Sequence, residues 1–387
     1  MAVRILLMLA ALALFYGCDQ PSSPPEQGER YGDIEAKGAP SLPSLGPSRQ
    51  EITRQESTRQ DVADMKIAFG VRRPGDYEGD YDFDLYVMNA DGSNLARLAD
   101  GADPAWSPDG KRFAYTKYVE EPNPAQSSAA VSAEPVPPTI DTPYIFTMNA
   151  DGSGQKKLLD KTSERPVWSP DGKEIAFTLN EGAPYGNYCG GIYIMDADGS
   201  GTPRKLATGP GCAYYPAWSP DGKDIAYAKA PGLHESDVYV ANASGEEGHA
   251  QRPRALTDYT PQDAYDPSWS PDGTEIAFTV EKQSGATGVY KIDADGSGLT
   301  PLAPSQHMFS GGGEVTDDKI SPVWAPDGEH VAYVRYVPYC DPDCSSGEYT
   351  SYAREIYVVN SDGTNAALVR DLGKAHDIWG LDWKPLS

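Results

Sequence analysis

The chain has 387 residues, of which 57 are acidic and 32 are basic, so its formal net charge at pH 7 is −25. A surface this acidic repels phosphate groups, which argues against nucleic acid and anionic lipid surfaces as partners. The charge is compatible with a surface that is merely soluble outside the cell, or with cationic partners and divalent ions.

The first residues are typical of a bacterial export signal. Arg4 precedes an apolar run, Ile5–Tyr16, which is too short for a membrane-spanning helix. Gly17-Cys18 follows and resembles a lipobox, although the aromatic residues before it depart from the usual box. We therefore expect residues 1–18 to be a lipoprotein signal peptide with Cys18 as the lipid attachment site. Plain secretion is the alternative, and the membrane and leaflet stay open.

Residues 19–64 are rich in Pro, Ser, Gly, Gln and Glu and contain almost no large apolar side chains. Such a segment cannot bury enough apolar surface to offset the entropy of ordering it. We predict a disordered tether that leaves residues 65–387 as the folded part. The only predicted membrane contact is the lipid anchor.

One phrase, Pro-x-Trp-Ser-Pro-Asp-Gly, recurs along the folded part. Four full copies, and a fifth with Ala in place of Ser, occupy residues 104–110, 166–172, 216–222, 267–273 and 322–328, and a degenerate copy closes the chain. Six of the seven tryptophans hold this one position, namely Trp106, Trp168, Trp218, Trp269, Trp324 and Trp383. A period of this length is typical of propeller blades or solenoid units.

The segments between the copies indicate four short β-strands per repeat. An apolar run such as Ile175–Phe177 follows each phrase, and then comes an alternating segment such as Gly191–Asp196 that ends in a second turn. Alternating β-branched and aromatic residues between Asp-Gly turns are hairpin signals, and four strands per unit make a propeller blade. We label the strands A, which bears the tryptophan, to D. The six tryptophans are expected to pack between blades.

The two ends of the chain predict how the ring closes. Lys66–Val71 matches strand B with no strand A before it, and Leu381–Pro385 matches strand A with no strand B after it. The C-terminal strand can complete the N-terminal blade and so hide the unpaired strand edges. The predicted fold class is all-β: a six-bladed β-propeller of four-stranded blades.

The repeat resembles that of TolB-type, WD-repeat-like propellers, which carry Trp-Ser-Pro-Asp-Gly followed downstream by Asn/Asp-Ala-Asp-Gly-Ser. The resemblance covers nearly all of the chain from Lys66 to Pro385 and implies the propeller fold. It implies less about function, because one fold hosts many activities. TolB also carries an N-terminal α/β domain, and low-complexity residues stand in that place here. We therefore expect the known partnerships of TolB not to transfer.

Antiparallel strands place the A–B and C–D turns on one side of the ring, which we call the turn face. The B–C and D–A connections lie on the other side, which we call the loop face. The A–B turns are uniformly short, whereas the loop face holds the predicted insertions Arg72–Phe83, Tyr118–Thr142, Leu179–Gly190, Pro304–Ser321 and Val337–Ala353. A rigid scaffold with variable loops on one side is typical of a binding protein.

Aromatic residues are concentrated in the predicted loops of that face. Tyrosine and tryptophan are favoured contact residues at protein interfaces. The binding-face candidates are Tyr185, Tyr188, Tyr214, Tyr215, Tyr259, Tyr265, Tyr339 and Trp379. The alternative is that these side chains only pack the loops against the rim.

Four cysteines remain besides Cys18, an even number that is typical of disulfides in an exported protein. Cys189 falls in a B–C connection and Cys212 in the next D–A connection, so both belong to the loop face and a bridge between them is geometrically sensible. Cys340 and Cys344 would then close a small loop. Metal binding by these thiols is the alternative, but the spacing fits no common zinc pattern.

Two other patterns concern metals. Asp196-Ala-Asp-Gly and Asp293-Ala-Asp-Gly resemble the start of a calcium loop but lack its later ligands, so we interpret them as turns. His234, His307 and His376 all fall in B–C or D–A connections and could converge on a divalent metal at the channel mouth. His-bound metal in propeller polysaccharide lyases makes a metal-dependent lyase or hydrolase the alternative function. No other cofactor is expected.

The sequence contains no Gly-x-Ser-x-Gly, His-Glu-x-x-His or phosphate-loop motif. The favoured function is therefore that of a non-catalytic, monomeric propeller that is anchored by lipid to a bacterial membrane, in the periplasm or at the cell surface. It would bind a protein or an envelope polymer through its loop face.

Overall fold

The computed structural model describes residues 65–73, 82–123, 139–180, 190–206, 208–209, 211–230, 236–245, 253–258, 263–282, 285–305, 307–310, 313–316, 318–339, 351–373 and 377–386. All of them lie in one compact unit, Pro47–Ser387. Within these residues no helix is long and apolar enough to cross a membrane. The predicted signal peptide, Cys18 and the tether lie outside the described residues and stay predictions.

The described residues form β-strands and no helix. In chain order the strands are β1 (Lys66–Arg72), β2 (Phe83–Asn89), β3 (Ala96–Asp100), β4 (Ala102–Trp106), β5 (Arg112–Pro122), β6 (Thr139–Asn149), β7 (Lys156–Lys157), β8 (Ser163–Trp168), β9 (Glu174–Asn180), β10 (Gly190–Asp196), β11 (Arg204–Lys205), β12 (Cys212–Trp218), β13 (Asp224–Ala230), β14 (Asp237–Asn242), β15 (Arg254–Ala255), β16 (Asp263–Trp269), β17 (Glu275–Glu281), β18 (Thr287–Asp293), β19 (Thr300–Ala303), β20 (His307–Ser310), β21 (Gly313–Thr316), β22 (Asp318–Trp324), β23 (His330–Tyr339), β24 (Ser351–Asn360), β25 (Ala367–Asp371) and β26 (Ile378–Trp383).

These strands build six antiparallel four-stranded sheets, which confirms the predicted six-bladed propeller. Blades 1 to 5 are β4–β7, β8–β11, β12–β15, β16–β19 and β22–β25, and blade 6 has the order β26-β1-β2-β3. The strands A of neighbouring blades lie side by side, and β26 lies beside β4, so the ring is closed. The closing strand begins at Ile378, three residues before the predicted start at Leu381, because its pairing with β1 already begins at Ile378 opposite Val71.

The repeated tryptophans pack between blades, as predicted. The apolar cluster around Trp168 joins Ala105 and Ile145 of blade 1 to Phe177 of blade 2. The indole Nε1 of Trp168 also donates a hydrogen bond of 3.1 Å to the carbonyl oxygen of Ala105. The equivalent bonds of Trp269 and Trp383 reach the preceding blade over 3.2 and 3.1 Å. Each tryptophan therefore contributes both apolar area and, in these three blades, a directed bond to the blade interface.

The turn face is held by side-chain caps. In the A–B turn of blade 2, the Ser169 hydroxyl donates to Asp171 Oδ1 over 2.7 Å and accepts from the Glu174 N–H over 2.9 Å. In the variant repeat Ala325 lacks that hydroxyl, and Asp327 Oδ2 is paired instead with His330 Nδ1 at 2.7 Å.

The C–D turns are capped in the same way. Asp198 Oδ1 accepts from the Ser200 N–H over 2.7 Å, and Asp295 Oδ1 accepts from the Ser297 N–H over 2.8 Å. These carboxylates close turns in the manner of Asx residues, which supports the interpretation of both Asp-Ala-Asp-Gly phrases as turns.

Three of the predicted loop-face insertions are partly β-hairpin. Strands β5 and β6 continue their pairing beyond the blade to Pro122 opposite Thr139, and β23 and β24 continue to Tyr339 opposite Ser351. Between blades 4 and 5, β20 and β21 form a separate two-stranded hairpin. The prediction of loops at Tyr118–Thr142, Pro304–Ser321 and Val337–Ala353 is wrong for these stretches, since the antiparallel ladder extends past the sheet.

The closing strand carries a buried carboxyl group. Asp382 Oδ2 accepts a hydrogen bond of 2.6 Å from the Trp106 N–H of the next blade. Ser268 occupies the same repeat position in blade 4, and its hydroxyl oxygen accepts from the Trp324 N–H over 3.1 Å. Burial raises the pKa of Asp382 to about 7, although the backbone N–H groups of Trp106 and Trp383 oppose this effect by favouring the charged form.

We predict that this carboxyl group makes ring stability depend on pH. In the unfolded chain the Asp382 pKa is about 4, so between about pH 4 and pH 7 only the folded protein retains the proton. The contribution of Asp382 to the free energy of unfolding must then fall as the pH rises through this window. Asp382→Asn keeps an acceptor and removes the titration. Urea unfolding at several pH values should show wild type losing stability relative to this variant from pH 4 to 7.

The non-titrating equivalent position provides the control. Ser268→Ala removes the matching bond in blade 4, and its difference from wild type should not change with pH. Parallel pH profiles for wild type and Asp382→Asn would contradict the assignment of a raised pKa to Asp382.

Candidate functional site

The inner strand A of every blade contains a β-bulge, which in blades 1 to 5 includes a proline. In blade 2 the pairing of β8 with β9 shifts between Glu164 and Val167, which leaves Arg165 and Pro166 without ladder partners. The same shift occurs in all six blades. Proline has no N–H to donate, so an unpaired bulge position suits it. The bulge also turns the side chain before the proline out of the ladder.

The six residues at this bulge form what we call the channel layer. Each has a positive φ, and in order of the blades they are Asp103, Arg165, Tyr215, Asp266, Ser321 and Gly380. Blade 6 has Leu381 instead of proline, and Gly380 makes its bulge possible, because a Cβ at that position would lie 2.7 Å from the Asp103 Cα. The backbone N–H of Arg165 donates to Thr116 Oγ1 of the preceding blade over 3.0 Å, which fixes the bulge in place.

Arg165 extends across the channel. Its Nη1 lies 3.7 Å from Asp103 Oδ1 of blade 1 and 3.9 Å from Asp266 Oδ1 of blade 4. Blades 1 and 4 face each other across a six-membered ring, so this guanidinium group lies at the axis. It also lies over the Tyr215 ring, 4.0 Å from its centroid. The side chain of Arg165 is 24% exposed, so it is the channel layer's accessible cation.

The carboxyl groups around Arg165 are buried or partly buried, and their charge is only partly compensated. Asp103 is 6% exposed, and neither of its carboxylate oxygens has a hydrogen-bond partner among the described residues. Asp266 Oδ2 accepts from the Ser321 hydroxyl over 2.9 Å. Burial raises the pKa of Glu164 and of Asp266, and Arg165 opposes both shifts. The layer is therefore acidic on balance.

Arg165 stays protonated in this setting. Burial by itself would lower the pKa of Arg165, but Tyr215, Asp103, Asp266 and Glu164 raise it above its usual value. The guanidinium group is thus a permanent positive charge among three carboxyl groups.

Aromatic side chains connect the channel layer to the loop face. The Trp379 ring lies 5.6 Å from the Arg165 guanidinium carbon and 5.0 Å from the ring of Phe83, the first residue of β2 at the loop face. On the other side, Tyr215 contacts Tyr214 at 5.1 Å and Tyr265 at 6.0 Å between ring centroids. The channel mouth thus combines aromatic rings with charged groups.

The structure brings together four of the predicted binding-face residues, namely Tyr214, Tyr215, Tyr265 and Trp379, but in strands rather than loops. Tyr265 is buried, so it supports the channel wall instead of being displayed. Tyr339 lies at the end of β23. The remaining candidates, Tyr185, Tyr188 and Tyr259, lie outside the described residues.

The predicted metal and disulfide residues are described only in part. His307 lies in β20, whereas His234 and His376 lie outside the described residues. Within the part of the chain that the structure describes, no group of three or more His, Cys, Asp or Glu side chains could hold a metal ion.

Cys212 is buried at the first position of β12, inside the strand rather than in the connection before it. Cys189, Cys340 and Cys344 lie outside the described residues, so both predicted disulfides stay predictions.

Sequence reasoning missed the three charged residues of the channel layer, Asp103, Arg165 and Asp266. The signal was present: in blades 1 to 5 a proline two residues before the tryptophan marks the bulge, and the residue before that proline is not constant along the chain. A position that varies within an otherwise constant repeat is a candidate for a functional side chain. The convergence of these positions on one axis requires the closed ring.

Comparisons with known proteins agree with this architecture. Residues 139–319 match the TolB beta propeller domain family. The chain is 27% identical to dipeptidyl-peptidase 5 of Porphyromonas gingivalis, in a match that covers 60% of this chain and 37% of the peptidase. It is 28% identical to the Tol-Pal system protein TolB of Anaeromyxobacter dehalogenans, over 38% of this chain and 31% of that protein. The crystal structure of TolB from Acinetobacter baumannii has a TM-score of 0.55 at 17% identity, covering 84% of this chain and 68% of that one.

The repeats, the closed ring and these matches together define the class: the protein is a six-bladed β-propeller that is similar to TolB propellers. The matched parts make up about a third of the length of the two curated relatives.

We predict that Arg165 stabilises the channel layer by compensating its carboxyl groups. Arg165→Met keeps much of the side-chain volume but leaves Asp103, Asp266 and Glu164 without a counter-charge. Removing one partner of a buried ion pair is strongly destabilising, and because Arg165 is partly exposed we expect a loss of about 3 kcal/mol. Urea unfolding of the purified protein measures this.

A surface ion pair is the control. Lys173 Nζ lies 2.8 Å from Asp171 Oδ2 on the turn face, and both side chains are exposed. Lys173→Met should change the free energy of unfolding little, because solvent screens such pairs. Equal losses in the two variants would show that Arg165 is not held by its buried neighbours.

Proposed function

We propose that this chain is an extracytoplasmic, non-catalytic binding module that holds a protein partner at the loop face of its propeller. The observation that carries the proposal is the asymmetry between the two faces. The two strands of the β5–β6 hairpin have 11 residues each, and those of the β23–β24 hairpin have 10 residues each. The corresponding strands β9 and β10 of blade 2 have only 7 residues each. The additional residues of the longer strands project on the loop face. On the turn face the described turns are short and capped by side chains, except in the β14–β15 connection, where residues 246–252 lie outside the described residues.

The chemistry of the loop face supports a protein partner. Arg354 pairs with Asp377 at 2.5 Å and lies over Tyr336, 5.1 Å from its ring centroid. Tyr352 in the same hairpin is 43% exposed. Arginine and tyrosine side chains that are already held in place lose little entropy on binding and are frequent in interface hot spots.

The compartment follows from the N-terminal sequence. Residues 1–18 have the pattern of an export signal, and lipid attachment at Cys18 with the tether of residues 19–64 would hold the propeller near a membrane while leaving it free to reorient. One relative is named as a Tol-Pal system protein, which favours a protein over an envelope polymer as the partner.

The absence of catalysis is part of the proposal. The other curated relative is named as a peptidase, and the match covers 37% of it. The sequence of this chain contains no Gly-x-Ser-x-Gly phrase that could supply a serine nucleophile. Purified protein should therefore release no product from dipeptidyl substrates, and turnover of such substrates would overturn this part of the proposal.

We predict that shortening the β5–β6 hairpin abolishes partner capture without unfolding the ring. Val119 is paired with Thr142, so an Asn-Gly turn joining these two residues removes the projection and keeps the ladder below it. Affinity purification of the full chain from its own membranes should recover a partner at least ten-fold better than purification of this variant. Both proteins should have similar melting temperatures.

The turn face supplies the matched control. Leu299 is 46% exposed in the C–D turn of blade 4, and Leu299→Ser removes one of the large exposed apolar side chains on that face. This variant should capture the partner normally. Loss of capture with Leu299→Ser, or full capture with the shortened hairpin, would move the binding site away from the loop face.

A further inference from the structure

The channel layer contains a carboxyl group that no hydrogen-bond donor among the described residues reaches. Two of its residues, Asp103 and Asp266, carry carboxyl groups that lie 3.7 and 3.9 Å from the single guanidinium group of the layer, that of Arg165. Asp266 has the Ser321 hydroxyl as a donor, but both oxygens of Asp103 are enclosed without any hydrogen bond among the described residues. A buried carboxylate in this state is costly unless a donor or a cation reaches it.

The nearest cation does not satisfy Asp103. The 3.7 Å between Arg165 Nη1 and Asp103 Oδ1 is an ion-pair distance and too long for a hydrogen bond. The guanidinium group is shared with Asp266, 3.9 Å away, on the opposite side of the channel. Asp103 therefore keeps its full capacity to accept hydrogen bonds.

The walls of the site favour an organic cation. Tyr215 and Trp379 already present their ring faces to the Arg165 guanidinium group, at 4.0 and 5.6 Å. Ring faces attract ammonium and guanidinium groups, most strongly where water is excluded. The net charge of −25 acts in the same direction over a longer range, because it attracts basic partners before contact.

We propose that the channel layer receives a basic side chain of the protein partner, whose ammonium or guanidinium group donates hydrogen bonds to Asp103. This inference rests on the proposed function and names the chemistry that the loop-face partner must present. Trp379 marks the way in, because its ring contacts both Phe83 at the loop face and Arg165 in the layer. Arg165, which is partly exposed, moves towards Asp266 as the incoming cation takes its place beside Asp103.

A short peptide tests the site without the partner. The probe is acetyl-Gly-Lys-Gly-amide, titrated into the full chain by calorimetry at low ionic strength, with the isosteric norleucine peptide as the uncharged comparison. The lysine peptide should bind and the norleucine peptide should not. Equal binding of the two peptides, or no binding of either, overturns the proposal.

Two variants with the same loss of charge locate the binding. Asp103→Asn should weaken binding of the lysine peptide at least ten-fold. Asp151→Asn, in an exposed C–D turn on the turn face, should leave it unchanged. If both variants bind like wild type, Asp103 is not the acceptor. Should Asp103→Asn fail to fold, Trp379→Leu keeps every carboxyl group and should weaken binding through the aromatic wall; unchanged binding there overturns the proposal.

Titrations with other cations distinguish which kind of cation the site binds. Spermidine that binds more tightly than the lysine peptide would assign the site to free polyamines rather than to a protein side chain. Calcium alone that displaces the peptide at equal concentration would overturn the organic-cation assignment.

The outcomes for this inference and for the proposed function are separable. Peptide binding together with partner capture that survives the shortened hairpin would refute only the loop-face function. Loss of capture with the shortened hairpin but no peptide binding would refute only the channel site.

Discussion

The bulge in the inner strand of each blade, which in five blades is set by a proline, is the constraint on which the rest of the structure depends. Because proline donates no backbone hydrogen bond, the ladder is interrupted there. Beyond the bulge the strand pairs again with its register shifted by one residue. Two residues later the tryptophan is directed into the interface with the preceding blade, and the residue before the proline is directed to the axis. One local defect thus sets both the core and the channel. Blade 6 has no such proline and reaches the same geometry through Gly380.

The charges at the axis have a structural cost that a simpler repeat would avoid. Five of the six channel-layer positions hold a residue other than glycine at positive φ, a conformation that L-residues rarely adopt. Burying several carboxyl groups around one guanidinium group is likewise a poor way to gain stability. The ring therefore concentrates strain and unsatisfied charge in one layer while its blade interfaces are apolar. Such a distribution is typical of a site that is kept for binding.

The two faces of the ring differ in the polar and aromatic groups that they offer to a partner. In most of the described turns on the turn face, serine and aspartate side chains form hydrogen bonds within the turn, so few polar groups are left for a partner. On the loop face, paired strands continue past the sheets of blades 1 and 5, and the blade 5 hairpin exposes Tyr352, whose ring lies 6.0 Å from the Arg354 guanidinium carbon. Rigid hairpins offer a partner a preformed surface and so lower the entropy lost on binding.

The sequence by itself determined the propeller, its six blades, the closing strand and the packing of Trp168 and its equivalents between blades. It could do so because each of these follows from local patterns repeated at fixed spacing. It did not reveal that Tyr214 and Tyr215 lie in a strand or that the β5–β6 insertion is a hairpin, since strand pairing depends on partners that a linear pattern does not specify. Only the tertiary structure placed Asp103, Arg165 and Asp266 together. These residues belong to different blades, and the distance between them is set by closure of the ring.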